Sequence, residues 1–229
     1  MSKSLSEYDK YKVIRPVIGG CEYDENSFPI IRNTIKDNIN WDELYVCGIQ
    51  NINKKNDNHN AIALMYLDDK KLLSYWNTPL KKIPLMLGCA AVATPDFSYY
   101  DSMNINEIRH NVYMNRWLGA TWQNYGVNVI PTVGWAGKHT YDLCLSGIEQ
   151  ETPVTISTLG CQTHKDEFLA GFKEMKNRIK PSLIVVFGDM IDGMTGRFLH
   201  FKYTDSFNKK ARQQPLEGML GVFEIKEKE

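Results

Sequence analysis

A chain of 229 residues is long enough to bury one substantial core without disulfide or metal staples. Its 27 Lys and Arg balance 27 Asp and Glu, which excludes the global basic excess of a generic DNA or membrane-surface binder and leaves only local basic grooves. The five cysteines, Cys21, Cys47, Cys89, Cys144 and Cys161, are odd in number and form no C-x-x-C, and no apolar stretch reaches the roughly 18 residues of a membrane span, so a cytoplasmic protein with no membrane partner is expected.

Residues 1–60 read as an irregular N-terminal extension packed on the core, in which ELYVCGI (43–49) has a strand pattern and NINKKNDNHN (51–60) is a solvated loop. From residue 61 short apolar runs alternate with helical patterns, the signature of βα units. AIALMYL (61–67) is a buried strand, after which Asp68 or Asp69 caps a short helix, KKLLSYW, stopped by Pro79. Ala90 to Thr94 is the next strand, and it ends in the polar, aromatic octet TPDFSYYD (94–101). Asn104-x-x-Glu107 is a capping box that opens a helix of about six turns, ending at Gly126. VNVIPTVGW (127–135) is a strand made irregular by Pro131, which has no N–H to give.

Tyr141, Cys144, Leu145 and Ile148 recur at i, i+3, i+4 and i+7 as a helical stripe, and PVTIST (153–158) follows as a strand. Thr163-x-x-Asp166 is expected to cap a helix with Phe168, Phe172, Met175 and Ile179 on its core face, ending at Lys180-Pro181. SLIVVFG (182–188) is a buried strand, and the alternation of Leu199, Phe201 and Tyr203 with Phe198, His200 and Lys202 suggests a last, half-exposed one. The core domain is therefore placed at 61–204, and 205–229 is read as a mobile C-terminal tail. The fold class is α/β, with repeated βα units forming either an incomplete TIM-like barrel or an open, mostly parallel sheet.

In such architectures ligands sit at the carboxyl ends of strands, where side chains converge and helix N-termini supply N–H donors. Those ends supply a polar, aromatic-walled rim. Its candidate catalytic groups are Asp96, Asp101 and Tyr99, joined by Arg116, and its candidate ligand-binding groups are Asp68, Asp69, Ser98, Asn115, Trp135, Thr158, Gly160 and Asp189. A divalent cation, if one is used, would be held by hard oxygens of Asp68, Asp96 and Asp189. The histidines share no H-x-x-x-H spacing, so zinc has no support. Taken singly, Asp68, Asp69 and Asp96 also fit a plain capping role in helices and turns.

Ile108, Val112 and Arg116 run at i, i+4 and i+8, which sets a guanidinium beside the helix's apolar stripe with Asn115 bordering the same face. A carboxylate partner from the preceding loop, Asp96 or Asp101, is expected for it, in preference to snorkelling over Trp117 or Trp122. Cys161, three residues before His164, reads as a small buried hydrophobe before it reads as a nucleophile. GDMIDGMTGR (188–197) is either a mobile lid or a plain surface loop, and the chain has no phosphate-loop pattern.

Between residue 61 and about 190 several landmarks occur in order: Asp68-Asp69 with Trp76 and Pro79, TPDFS at 94–98, the N-x-x-x-N-R-W-L-G-A run from Asn111 to Ala120, VIPTVGW at 129–135, ISTLGC at 156–161, then F-x-x-G-x-x-x-M and KPSLIVVFG. In these the chain resembles the phage- and mobile-element-associated domain of unknown function numbered forty-four seventeen. The resemblance implies prophage, plasmid or integrative-element biology in a bacterial or archaeal host and carries no established activity. Two functions are compatible with these residues. One is an enzyme whose strand-end pocket acts on a nucleotide, a nucleic acid or another small polar substrate; the other is a non-catalytic accessory that binds a host or phage protein or DNA.

Overall fold

The computed structural model describes residues 15–35, 39–53, 57–202, 211–212 (as backbone) and 222–227. In chain order its strands are β1 (Tyr45–Gly48), β2 (Ala61–Leu64), β3 (Ala91–Ala93), β4 (Val129–Ile130), β5 (Val154–Ser157), β6 (Ile184–Phe187), β7 (Gly196–Phe201), β8 (Ala211–Arg212) and β9 (Phe223–Ile225). Its helices are α1 (Asp69–Asn77), α2 (Ile83–Met86), α3 (Ile105–Asn124), α4 (Tyr141–Cys144) and α5 (Lys165–Ile179).

The strands form two sheets, ordered β4-β3-β2-β1-β8 and β5-β6-β7-β9, parallel throughout except for β8 and β9. A parallel bridge between Thr132 and Thr155 joins them, and among the described residues no ring of strands closes. Pro131 is the reason β4 stops after two residues, because it cannot donate to the ladder. The Thr132 N–H turns instead to the Thr94 hydroxyl at 2.8 Å, while the Thr132 hydroxyl donates to the Thr94 carbonyl.

Strand alternation sorts the core into layers. Val46, Ile62, Leu64 and Ala93 from one sheet share an apolar cluster with Val185, Phe187, Leu199 and Phe201 from the other. The opposite faces carry the helices: Trp117, Leu118 and Trp122 of α3 cover the first sheet, and Phe168, Phe172 and Met175 of α5 cover the second. Each large side chain buried this way contributes about 1.5–3 kcal/mol before entropy is counted. The capping box of Asn104 and Glu107 forms as expected, and Gly126, at φ 85°, ends the following turn. Gly119 lets α3 lie close on β3, since a Cβ there would meet Ile31 Cδ1 at 2.5 Å and Thr94 Cγ2 at 2.8 Å.

Several expectations need correction. The stripe from Tyr141 to Ile148 gives only one helical turn, α4, after which Gly147 turns left-handed and Ile148 pairs with Ile31. Arg116 holds the Cys144 and Ser146 carbonyls that a longer helix would use for its own bonds. Thr163 does not cap α5: it lies in a 3-10 turn started by left-handed Gly160, and the residue before α5, His164, makes no side-chain cap. Asp166 and Glu167 place negative charge in the first turn of α5, where it complements the helix dipole. β7 is not half-exposed, because Phe198, Leu199, His200 and Phe201 are buried between layers on both faces.

β7 is also not the last strand. Part of the segment expected as a mobile tail is sheet: β8 pairs with β1, β9 pairs with β7, and Phe223 is buried against Phe198 with ring centroids 5.8 Å apart. Tyr203 and residues 213–221 lie outside the described residues. At the other end, β1 belongs to the first sheet although it precedes residue 61. No described helix is long and apolar enough to cross a membrane.

Candidate functional site

The carboxyl ends of β2 and β3 are stitched together by their own backbone and by one carboxylate. Asp96 donates its N–H to the Met65 carbonyl at 3.2 Å, and Ser98 donates its N–H to both oxygens of Asp69, at 3.2 and 3.4 Å. This sets Asp69, the first residue of α1, beside the loop that carries Asp96. The Asp96 side chain is half-buried, and its carboxyl has no hydrogen-bond partner among the described residues. Burial, and after it the Asp69 charge, push Asp96 up to about 7, which is far above the usual carboxylate range.

Three further groups feel the Asp96 charge. Tyr66, beyond the end of β2, shares a 2.9 Å hydrogen bond with Thr155 of β5, and burial followed by Asp96 raises its phenol well above the ordinary value. Burial also raises the Tyr99 phenol, against the opposing pull of the Arg116 charge. The Cys161 thiol, in the turn after β5, is raised by burial and then by Asp96, so it is held as a thiol and not as a thiolate. At neutral pH the cluster is therefore one carboxyl near its midpoint among phenols and a thiol that keep their protons.

Tyr99 and Cys161 also belong to the wall of a cavity of about 900 Å³. The loops after β3, β4 and β5 and the start of α5 bound it, with Tyr100, Asp101, Trp135, Lys138, Leu159 and Phe168 among its lining residues. Trp135 is held by Phe168, with ring centroids 5.3 Å apart, and Gly171 of α5 leaves the space its indole fills. Asp101 is exposed, and its Oδ1 lies 3.7 Å from His139 Nδ1.

The structure thus brings together Asp69, Asp96, Ser98 and Tyr99, and around the cavity Asp101, Trp135 and Gly160. Other expected members fall elsewhere. Asp68 is the N-cap of α1, accepting from the Lys70 N–H at 2.9 Å, so its plain capping role is the one realised. Asp189 is exposed in the loop after β6. Thr158 is buried beside Gly188 and outside the cavity lining, and among the described residues its hydroxyl has no partner. Asp68, Asp96 and Asp189 do not converge, and among the described residues no group of three or more His, Cys, Asp or Glu could hold a metal ion.

Arg116 corrects the largest expectation. It is buried, as the helical spacing implies, but its partner is not Asp96 or Asp101. Nε donates to the Ser146 carbonyl at 2.8 Å, one terminal nitrogen to the Cys144 carbonyl at 2.7 Å and the other to the Asn115 side-chain oxygen at 2.5 Å. The reason is geometric: carbonyls left free at the end of α4 carry the partial negative charge of a helix C-terminus, which suits a cation without burying a second full charge. Asn115 in turn donates to the carbonyls of Pro95 at 2.8 Å and Thr132 at 3.3 Å. Both residues are scaffold for the strand ends and do not face the cavity.

Sequence reasoning passed over Tyr66 and Thr155. A phenol that interrupts an apolar strand run two residues before Asp68 is the available signal for Tyr66. Thr155 gave none, since a threonine inside a strand is ordinary. Cys161 reads from the sequence as a small buried hydrophobe, and only the fold shows that Asp96 lies near it.

No solved structure matches the chain. Two curated relatives do, each called Gene 1 protein. The one from Mycobacterium phage D29 is 36% identical over 126 residues, which are 54% of this chain and 47% of the phage protein. The one from Mycobacterium phage L5 is 35% identical over 128 residues, 55% of this chain and 56% of its own length. The chain therefore spans about half the length of the curated relatives it matches. The family model described as Domain of unknown function (DUF4417) matches residues 31–204, a stretch that holds β1 to β7 and the whole strand-end cluster, and the chain belongs to that family.

Proposed function

We propose that the protein is an enzyme whose strand-end pocket performs general acid–base chemistry on a nucleotide, a nucleic acid or another small polar substrate. The observation that carries this reading is Asp96, a half-buried carboxyl with no hydrogen-bond partner among the described residues, held near 7 behind Tyr99 and Cys161, which line a cavity of about 900 Å³. A group with that midpoint can both give and take a proton at neutral pH, which is the property acid–base catalysis selects for. Tyr99, kept protonated on the cavity wall, supplies a hydrogen-bond donor beside it.

The architecture supports the same reading. Through the Thr132–Thr155 bridge, β1 to β7 follow one another in chain order with parallel neighbours, the connectivity of an incomplete βα barrel. In that fold catalytic groups come from the carboxyl ends of several strands, as Asp69, Asp96 and Tyr99 do. The likeness to phage proteins makes nucleic acid metabolism a natural setting.

The test is a carbon-detected NMR titration of the Asp96 carboxyl in the full chain, followed by ligand and turnover screens of wild type and Asp96→Asn. A midpoint near 7, with turnover lost in a variant that still folds, is the expected outcome. A midpoint near 4 would sink the reading.

A further inference from the structure

Resting on that strand-end reading, we propose that the cavity receives an uncharged planar heterocycle, a nucleobase or its nucleoside, in preference to a phosphorylated nucleotide. Two independent features of the wall point there, its rings and its charges.

The rings are positioned before any ligand arrives. Trp135 is fixed by Phe168 on one side and by the space Gly171 leaves on the other. Tyr99 lies against Gly134, where a Cβ would stand 3.2 Å from the ring. Tyr100 and Leu159, from the loops after β3 and β5, also line the cavity and remain 62% and 43% exposed, which leaves their faces free to meet a ligand. Flat aromatic faces at a cavity mouth match a flat π-system, and a cavity of about 900 Å³ holds a nucleoside with room to spare.

The charges select against phosphate. Asp101, Asp166 and Glu167 line the cavity against Lys138, and His164 is turned toward Glu167, its Nδ1 3.9 Å from that carboxylate. Asp166 and Glu167 already complement the N-terminal dipole of α5, so an incoming phosphate would meet two anions where a helix start would otherwise attract it. Exocyclic amino groups of a base, by contrast, are donors for such carboxylates. The same heterocycle could come from a free nucleoside or from a base presented by a single strand.

Saturation-transfer NMR and calorimetry on the full chain test this with adenosine, guanosine, cytidine and thymidine, their 5′-monophosphates, ribose 5-phosphate, and a mixed-sequence single-stranded 12-mer. At least one nucleoside is expected to bind, its monophosphate more weakly, and ribose 5-phosphate not at all. Tyr100→Ala, at an exposed position that the fold does not need, should weaken binding about fivefold or more by loss of stacking. A 12-mer that competes with the nucleoside and loses affinity in Tyr100→Ala identifies the strand as the source; binding of free nucleosides alone identifies the metabolite, and both support the proposal. No nucleoside binding, tighter binding of the monophosphates, or an unchanged Tyr100→Ala overturns it. The Asp96 titration is read on the free protein, so a midpoint near 7 without nucleoside binding defeats this proposal alone, and the converse defeats the acid–base reading alone.

Discussion

Replacing Asp96 with Asn should make the protein more stable at alkaline pH. The folded state holds this carboxyl at about 7, while in the unfolded chain it falls to roughly 4. Between those values the unfolded chain releases a proton that the folded protein keeps, so wild-type stability falls as pH rises from about 4 to about 7 and then levels off. Three pH units of displacement correspond to about 4 kcal/mol, and relaxation around a half-buried group lowers this to about 2–4 kcal/mol. Asn keeps the shape and the Asp96 N–H bond to Met65, and it removes the titration together with repulsion from Asp69. For a domain of this size each kcal/mol moves Tm by roughly 2–4 °C, so Asp96→Asn should melt roughly 4–16 °C above wild type at pH 8.5. At pH 4.5 the two should differ by less than about 1 kcal/mol. Circular-dichroism melts of both proteins across that range read the gap directly. If Asp96→Asn melts lower at pH 8.5, or the gap does not widen with pH, Asp96 is a structural carboxylate and the account of its environment is wrong.

Arg116→Met should lower Tm by roughly 6–20 °C, since it leaves the Cys144 and Ser146 carbonyls and the Asn115 oxygen buried without a donor, at a combined cost of about 3–5 kcal/mol; Asp101→Asn, at an exposed site, should move Tm by less than about 2 °C. Equal losses in the two variants, read in one set of thermal melts, would restore the ion pair that the helical spacing suggested. Phe223→Ala should cost about 2–4 kcal/mol by removing a buried ring from Phe198, and an unchanged urea midpoint would show that β9 adds nothing to the core. Gly171→Ala adds a methyl where the Trp135 indole lies, so it should shift tryptophan fluorescence and weaken any cavity ligand despite the better helix propensity of Ala, and an unaltered spectrum would contradict the packing.

The parts of the fold that were legible in the sequence are those set by local chemistry. The capping box at Asn104 and Glu107, the truncation of β4 at Pro131 and the buried stripe of Phe168, Phe172, Met175 and Ile179 each follow from a few neighbouring residues. What escaped depended on partners far along the chain. The Tyr141–Ile148 periodicity was genuine, yet Arg116, some 30 residues earlier, takes the carbonyls that would have extended the helix. Alternation in 198–203 could not show that both faces of β7 are covered, because that requires knowing the second layer and β9. At the site, Asp96 and Tyr99 were visible because they end a strand. Their relation to Tyr66, Thr155 and Cys161 comes from the approach of β2, β3 and β5, which no spacing within one segment encodes.

The junction between β4 and β5 has a mechanical meaning. Where neighbouring strands inside each sheet share a ladder, the two sheets meet through Val133 N–H to the Thr155 carbonyl at 2.9 Å and Thr155 N–H to the Pro131 carbonyl at 3.0 Å, flanked by a proline that can give nothing. The segments leaving this junction, 133–138 on one side and 156–161 on the other, are walls of the cavity. The two bonds at the junction, together with the apolar cluster shared by the sheets and the Tyr66–Thr155 hydrogen bond, fix how the two cavity walls stand to each other, so the same contacts that join the sheets set the width of the cavity. Asp96 and Cys161 lie on opposite sides of the junction, so its geometry sets how far the carboxyl stands from the thiol.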